Sequence, residues 1–254
     1  MSLVLHQYRY DQKQFWREPA SVFFTVVLPL IFFTLFAAIF GSDETVVNGE
    51  KIETSTYYVP AIIALSLINA TFVNLVIWLT IQRERGQLKR MRATPVPASV
   101  VIAGRTLTSV AISAVMVVVV CLFGAVLYGV ELPTSTLPGV VVSVLVGTFS
   151  LAALGFAVAA LVPSENAAPP VANVIVLPLE FISGIFVPSE QIPDWMDNIA
   201  SVFPVKPLFD SLLQAFDPVT TGIGVDWGAL AVVAAWGVVG AVAALRFFRW
   251  APRG

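Results

Sequence analysis

The sequence has little charge, one cysteine and one histidine, and each shortage excludes a kind of protein. Asp, Glu, Lys and Arg make up 12% of the 254 residues, about half the share found in ordinary soluble domains. The single Cys121 excludes an internal disulfide and a cysteine-ligated metal cluster. His6 is the sole histidine, so no serine has a histidine base, and we expect neither catalytic residues nor a metal site.

A nucleotide-binding loop is also missing from the sequence. No GxxxxGK[ST] segment occurs, which excludes ATP binding by a P-loop on this chain. We therefore expect no cofactor here. Any transport work must draw its energy from a partner protein or from an ion gradient.

Long apolar runs dominate what is present. The chain is 57% hydrophobic, with a mean hydropathy of +0.86, and a run of about 20 apolar residues can cross a bilayer as a helix. The pattern predicts an all-α membrane protein in which residues 1–254 form one transmembrane domain. Six transmembrane helices are expected at about 20–40, 57–81, 105–129, 138–161, 168–187 and 227–247.

Positive charge lies in three groups, and only Lys51 and Lys206 fall outside them. The groups precede the first span, lie at the end of the last, and run from Arg83 to Arg105 through an inner loop at 82–104. Because Lys and Arg near span ends mark the cytoplasmic face, we expect a multi-pass protein of the cell membrane with both termini cytoplasmic. Topology accounts for the basic residues, so nucleic acid is not an expected partner.

Two segments have helical periodicity without being long enough or apolar enough to span. Residues 3–18 predict an amphipathic helix in the headgroup plane, in contact with membrane lipid; the alternative is a cytoplasmic helix packed on protein. Its candidate interfacial residues are Tyr8, Arg9, Lys13, Trp16 and Arg17. Segment 188–225 predicts two short amphipathic helices that re-enter the outer leaflet or cap the bundle. Residues 41–56 are expected to form a polar, acidic outer loop.

Few polar side chains fall inside the predicted spans, and these are candidates for a substrate path. They are Asn69, Asn74, Glu180 and Ser183. Glu180 is the one titratable group placed well inside a span, where charge costs roughly 2.5–3.5 kcal/mol. For each asparagine the alternative role is a hydrogen bond between helices.

The basic inner loop is richer than topology requires. Residues 82–97 predict a short helix that Pro95 and Pro97 end. Such a helix could dock in a groove of another protein. The alternative is a topology signal alone, for which two or three basic residues would suffice.

Three motifs in this order resemble the type-2 ABC exporter permeases, within which the drug and lipid exporters are most similar. They are Trp16-Arg17-Glu18-Pro19; Arg83-Glu84-Arg85-Gly86 with Leu88-Lys89-Arg90 and Ala93-Thr94-Pro95; and Ser183-Gly184-Ile185-Phe186-Val187-Pro188 with Ile192-Pro193 and Phe203-Pro204. Gln87 departs from the family, which often has Thr there. The resemblance covers essentially the whole chain.

The resemblance implies an ATP-driven exporter subunit. It implies two copies of a separate ATP-binding subunit, which would hold ATP and Mg, a second permease protomer of the same or a homologous sequence, and an amphiphilic, drug-like or lipid-like substrate. It assigns ATPase coupling to Arg83, Glu84, Arg85, Gly86, Leu88, Lys89, Arg90, Thr94 and Pro95. Two alternatives stay open from the residues themselves: an ion-coupled transporter or channel that depends on Glu180, and a scaffold that transports nothing.

Overall fold

The computed structural model describes residues 3–40, 44–47, 50–92, 97–220 and 222–247. The helices in these ranges are α1 Leu3–Arg17, α2 Pro19–Phe40, α3 Thr54–Glu84, α4 Gln87–Arg92, α5 Ala98–Tyr128, α6 Leu137–Leu161, α7 Ala168–Ile182, α8 Asp194–Val202, α9 Val205–Phe216 and α10 Trp227–Phe247. Two short strands, β1 Glu44–Val47 and β2 Glu50–Glu53, pair antiparallel. Helices therefore make up nearly all of the described chain.

Five helices are long and apolar enough to cross a membrane, namely α2, α3, α5, α6 and α10. The prediction of an all-α membrane protein is confirmed. The predicted fifth span contains α7, which has 15 residues and a length of about 22 Å, short of the roughly 30 Å hydrocarbon core. The count of six spans therefore stays a prediction.

The acidic segment expected to be a loop contains the β1–β2 hairpin instead. Val47 pairs with Glu50 and Glu44 with Glu53. In the sequence, Asn48 and Gly49 separate the two strands, and Asn-Gly as a two-residue connection is a strong hairpin signal. The prediction of a loop rested on the polarity of the segment and did not consider this dipeptide.

Helix α3 is the centre of the bundle, and most of its length is buried, whereas α2, α5 and α10 are mostly exposed. Exposed apolar side chains such as Val126 and Leu245 suit contact with lipid. Two stretches widen to π-helix, Phe23–Val27 in α2 and Ile68–Val73 in α3. The first is followed closely by Pro29, which lacks an N–H for the regular ladder.

Helices α8 and α9 form an antiparallel pair that runs into the bundle from the end opposite the basic segment and returns; we call these two ends outer and inner after the expected orientation. The turn between them lies beside α10, where Trp236 Nε1 donates to the Val202 carbonyl at 2.7 Å. Trp236 lies nine residues after Trp227, the first residue of α10, which is about 14 Å along the axis. The other end of α9 lies at the start of α6, since the Thr136 hydroxyl donates to Ala215 O. This geometry supports the predicted re-entrant pair.

Candidate functional site

The basic segment folds into a compact inner elbow, which we define as residues 83–92. Helix α3 ends at Glu84, and the chain turns at Gly86, whose φ of 65° is a left-handed conformation. The Gly86 N–H donates to Arg83 O at 3.0 Å, and the Arg90 N–H donates to Gly86 O at 3.1 Å, starting α4. The Arg-Gly step of the motif thus produces the reversal into α4.

Arg83 lies inside this elbow and is 1% exposed. Its Nη1 donates to Ala159 O at 2.8 Å and its Nη2 to Val162 O at 2.5 Å, both at the end of α6. The last carbonyls of a helix have no partner within it and attract a cation. The guanidinium of Arg83 therefore joins the ends of α3 and α6 in the interior, and its predicted part in ATPase coupling stays a prediction.

Leu88 anchors the other half of the elbow. It is fully buried and packs in a cluster with Leu75 and Leu79 of α3 and Phe156 of α6. Burying a leucine side chain contributes roughly 1.5–3 kcal/mol. Helix α4 is therefore fixed to both spans, and Leu88 is an internal anchor that offers no surface to a partner.

The remaining elbow residues do lie on the surface. Arg85, Lys89 and Arg90 are exposed, and Glu84 is partly exposed. Arg85 Nε lies 3.2 Å from Glu165 Oε2 in the turn between α6 and α7, an exposed pair of small energy. The predicted coupling residues Thr94 and Pro95 lie outside the described residues.

A second polar group lies beside the elbow, at the inner ends of α3 and α5. Arg105 is 5% exposed, donates from Nη2 to Asn74 Oδ1, and stacks over the Trp78 ring at 4.5 Å from its centroid. Cation–π contacts of desolvated cations contribute about 2 kcal/mol. Asn74 thus makes a hydrogen bond between helices. Such a bond was the alternative to a role of Asn74 in the substrate path.

Helix α1 supplies the acidic member of this group. Asp11 is fully buried and accepts from Gln7 Nε2 at 2.9 Å. Burial raises the pKa of Asp11, while the Arg105 charge and the Gln7 hydrogen bond oppose that shift. At Gly104 a Cβ would meet Gln7 Cγ at 2.6 Å, so α1 lies directly against α5.

The residues of α1 that were predicted to face the membrane lie on the sides of the helix away from the buried Asp11. Arg9, Lys13, Trp16 and Arg17 are exposed, and Tyr8 is half-buried. Phe15 is buried together with Asp11 on the side that faces the bundle. One face of α1 therefore packs on protein, as in the alternative to the interfacial helix. Its other faces expose the basic and aromatic residues that an interfacial helix needs. Asp11 was missed, although its spacing of four residues from both Gln7 and Phe15 indicates a shared face.

The other three substrate-path candidates lie in different surroundings. Asn69 donates to Leu65 O at 2.9 Å within its own helix, in the π-helical stretch of α3. Ser183 donates to the main-chain oxygen of Glu180 at 3.0 Å. Glu180 is 2% exposed, and its Oε1 has no hydrogen-bond partner among the described residues. The structure thus brings Glu180 and Ser183 together and leaves Asn69 and Asn74 apart from them.

The serine-glycine motif after α7 builds the outer junction. Gly184 has a φ of 90°, and a Cβ there would meet Ser189 Oγ at 2.7 Å and Phe209 at 3.0 Å. The Tyr57 hydroxyl donates to Gly184 O at 2.6 Å, and the Tyr58 hydroxyl donates to Phe186 O at 3.4 Å. The motif is therefore the turn that joins α7 to the α8–α9 pair.

Lys206 of α9 completes this junction, and sequence reasoning missed it. Its Nζ lies 3.0 Å from Asp197 Oδ1 on α8 and 3.3 Å from Asp210 Oδ1 on α9. It also donates to Ser189 Oγ at 3.4 Å. Its position outside the three basic groups was the signal, since a lone outer cation among acidic residues has partners at hand.

These features define a multi-pass membrane protein whose inner end presents a rigid, basic elbow. Residues 5–216 match the family model described as ABC-2 type transporter, and the chain belongs to this family. It is also 22% identical over 204 residues to a Bacillus subtilis (strain 168) protein named "Putative transport permease YvfS", a match that covers 80% of this chain and 81% of the relative. The resemblance drawn from the three motifs is confirmed.

Family membership makes this chain a transmembrane transporter subunit and implies an ATP-binding partner in general. A permease subunit is not itself the enzyme that hydrolyses ATP. The inner elbow and the outer junction correspond to the second and third motifs.

Proposed function

We propose that this chain is the transmembrane subunit of an ABC exporter that forms the substrate pathway and is driven by a separate ATP-binding subunit. The substrate is amphiphilic, drug-like or lipid-like. The complex contains two permease protomers, of the same or a homologous sequence, and two ATP-binding subunits. It lies in the cell membrane with both termini of this chain cytoplasmic.

The anchored inner elbow is the observation that carries the proposal. Arg83 joins the ends of α3 and α6, and Leu88 packs on both helices. A force applied to α4 therefore reaches two spans without first bending a loop. Arg85, Lys89 and Arg90 are exposed on this elbow and form the coupling surface for acidic groups of the ATPase. Glu84 flanks them.

Charge supports the orientation of the complex. The elbow, the exposed cations of α1 and Arg246 at the end of α10 lie at the ends of helices that face one side, as the positive-inside rule requires. The acidic residues gather in the connections at the opposite ends, such as the β1–β2 segment.

Glu180 and Ser183 are the proposed polar contacts of the substrate path. They lie at the end of α7, whose other face exposes Val174, Leu177 and Phe181. A buried carboxyl next to an exposed apolar face suits a substrate with one polar end and an apolar body. Asn69 extends the proposed path along α3, and Asn74 is a weaker candidate because Arg105 occupies its oxygen.

Charge reversal on the coupling surface tests the proposal. The double variant Lys89→Glu with Arg90→Glu, reconstituted in liposomes with the ATP-binding subunit, is expected to lose at least tenfold in co-purification of that subunit. A matched loss is expected in ATP-driven export of a short-chain fluorescent phospholipid and of an amphiphilic dye. Glu84→Ala with Arg85→Ala should weaken binding or uncouple hydrolysis from export, while membrane insertion stays intact.

Arg246→Ala is the matched control, because Arg246 is an exposed inner cation outside the elbow. It should assemble and export as the wild type does. Normal assembly and export by both double variants would refute the coupling surface. If the wild-type complex assembles but exports neither probe, the proposed substrate class is refuted and the proposed coupling surface is not.

Glu180→Gln separates the exporter from an ion-coupled transporter. The variant removes the titratable proton and keeps the size of the side chain. An ATP-driven exporter should retain ATP-dependent flux, with altered substrate preference at most. Proton-driven flux by this chain alone that Glu180→Gln abolishes would favour the ion-coupled alternative instead.

A further inference from the structure

The turn between α6 and α7, residues 162–167, is held by two arginines of the elbow. The buried Arg83 donates to the carbonyl of Val162, the first residue of this α6–α7 turn. Three residues further on, Glu165 Oε2 lies 3.2 Å from Arg85 Nε at the surface. The contact of Arg83 ends α6, whereas that of Arg85 reaches the segment that leads into α7.

The α6–α7 turn is short and stiff. Pro163 opens it, and Glu165–Ala167 form a 3₁₀ turn that passes directly into α7. Helix α7 then carries Pro169 and Pro170 in its first turn. Because proline fixes its own φ near −65°, few torsions in this segment are free to change. A displacement of Glu165 is therefore passed on to the start of α7.

A chain of two hydrogen bonds connects α4 with this turn. Arg90 of α4 donates from Nη2 to Arg85 O at 3.3 Å, and Arg85 donates from Nε to Glu165 Oε2 at 3.2 Å. Both bonds are exposed, and such contacts contribute little to stability. What they provide is a connection with a fixed direction, from the surface helix of the elbow to the inner end of α7.

The far end of α7 carries the groups of the proposed substrate path. The helix has 15 residues, a length of about 22 Å, and it ends close to Glu180 and Ser183. Glu180 is buried and the Ser183 hydroxyl is bonded to its main-chain oxygen. A movement at the inner end of α7 therefore shifts both groups.

We propose that Glu165 is a positioning residue for export, because its ion pair with Arg85 carries movement of the elbow into α7 and so to Glu180 and Ser183. The inference rests on the proposed function, in which an ATPase acts on the elbow. Arg85 then serves two partners. Its Nε holds Glu165, while its side chain is 61% exposed and offers further N–H groups to the ATPase.

Helix α3 also packs directly against α7, which is a second route by which movement could reach the substrate path. Packing of that kind depends on the shape of the two helices and not on the charges of Arg85 and Glu165. Exchange of the two charges therefore separates the routes. If packing alone transmits the movement, a charge variant at the helix ends leaves export unchanged.

Amide hydrogen exchange of the purified full-length chain, without the ATPase, tests whether the pair holds the turn. Arg85→Glu and Glu165→Arg are each expected to raise the exchange rate of residues 164–168 about threefold, as loss of a weak surface ion pair would. The swapped double variant, Arg85→Glu with Glu165→Arg, should restore slow exchange. Glu131→Arg, which alters an exposed acid in the outer turn before α6, should leave this segment unchanged.

Export by the chain reconstituted with its ATP-binding subunit tests whether the pair transmits movement. In Glu165→Arg, the amount of substrate exported per ATP hydrolysed is expected to fall about fivefold, while co-purification of the ATP-binding subunit stays as in the wild type. The swapped double variant should recover this ratio, because it restores the pair and keeps one cation at the same place. Glu131→Arg should export normally.

Several results would overturn the proposal. Unchanged exchange at the turn in both single variants would do so whether or not the complex exports. The same holds for an unchanged export ratio in Glu165→Arg, or for a swapped variant that behaves like the single ones. Loss of co-purification in Glu165→Arg would make Glu165 a direct contact of the ATPase instead. A wild-type complex without ATP-driven export would refute the proposed function, and hydrogen exchange would still decide whether Arg85 holds the turn.

Discussion

At the outer end of the bundle, Tyr57, Tyr58 and Lys206 each hold a neighbouring segment through hydrogen bonds or ion pairs. At the inner end, Asp11, Trp78 and Gln82 surround a cavity with polar atoms that lack partners in the described part of the chain. Both regions join helices distant in sequence. The outer one pairs the side chains that hold its turn, whereas each of these three inner residues keeps one polar atom without a partner.

This difference matches what each end must do. A satisfied polar network rigidifies the elements that it joins, whereas a partly satisfied one has low local stability. The outer junction fixes the α8–α9 pair against α3. At the inner end, Arg83 and Leu88 fix the elbow to α3 and α6, and Arg105 packs on α3 beside it.

The largest effect is expected at Arg83, which joins α3 to two carbonyls at the end of α6. Arg83→Met keeps the apolar stem and removes both donors to the carbonyls of α6. Each unpaired buried carbonyl costs about 2 kcal/mol, so the free energy of unfolding should fall by about 4 kcal/mol. Thermal unfolding in detergent would measure this, with Arg85→Met as the exposed control.

If Arg83→Met leaves the free energy of unfolding unchanged, water replaces the guanidinium and the elbow is not tied to α6. Arg83→Lys should recover part of the loss, because an ammonium is a point charge without the two-pronged geometry of guanidinium.

A smaller loss in the free energy of unfolding is expected from alanine at two glycines with positive φ, Gly184 at the outer junction and Gly86 in the inner elbow. Gly184→Ala places a Cβ against Ser189 and Phe209, and it should lower the free energy of unfolding by about 3 kcal/mol. Gly86→Ala meets no atom within 4 Å, so only the left-handed backbone is strained, at about 1 kcal/mol. Equal losses in the same thermal assay would contradict the claim that the outer junction is the tighter one.

The smallest effect is a pH dependence of the outer junction. Burial raises the pKa of Asp210 from its ordinary value of 3.8 to about 6. The neighbouring charge of Lys206 opposes this shift. The folded state binds this proton more tightly than the unfolded state, so the contribution of Asp210 to stability is lost as pH rises from about 4 to 6.

The difference in unfolding temperature between wild type and Asp210→Asn should therefore shift in favour of the variant across this pH range. Asp210 is 36% exposed, and water screens its charge, so we expect a shift of about 2–4 °C. A constant difference from pH 4 to 7 would exclude a raised pKa.

Sequence patterns predicted the helices well wherever an apolar run was long. Residues 105–129 and 138–161 lie within or close to α5 and α6. The Arg83 burial was missed, because the run of basic residues was interpreted as one surface. Leu75, Leu79 and Arg83 follow at intervals of four residues, which places Arg83 on the buried face of α3.

The inner cavity could not be predicted from the sequence. It is formed by α1, the end of α3 and α4, and no local pattern tells how such distant segments pack. The same is true of Arg105, whose partners Asn74 and Trp78 lie on another helix. Composition assigned Arg105 to the cytoplasmic basic group, whereas only tertiary packing shows that it is buried.

The placement of Asp11 against Arg105 has a consequence for how the chain is made. Helix α1 is synthesised before α5, yet the surface that it packs on lies around Gly104 of α5. Arg105 can contact Asn74 and Trp78 of α3 as soon as α5 packs, whereas the buried carboxyl of Asp11 comes near its charge only when α1 docks. We therefore expect α1 to take its place on the bundle only after α5 has been inserted.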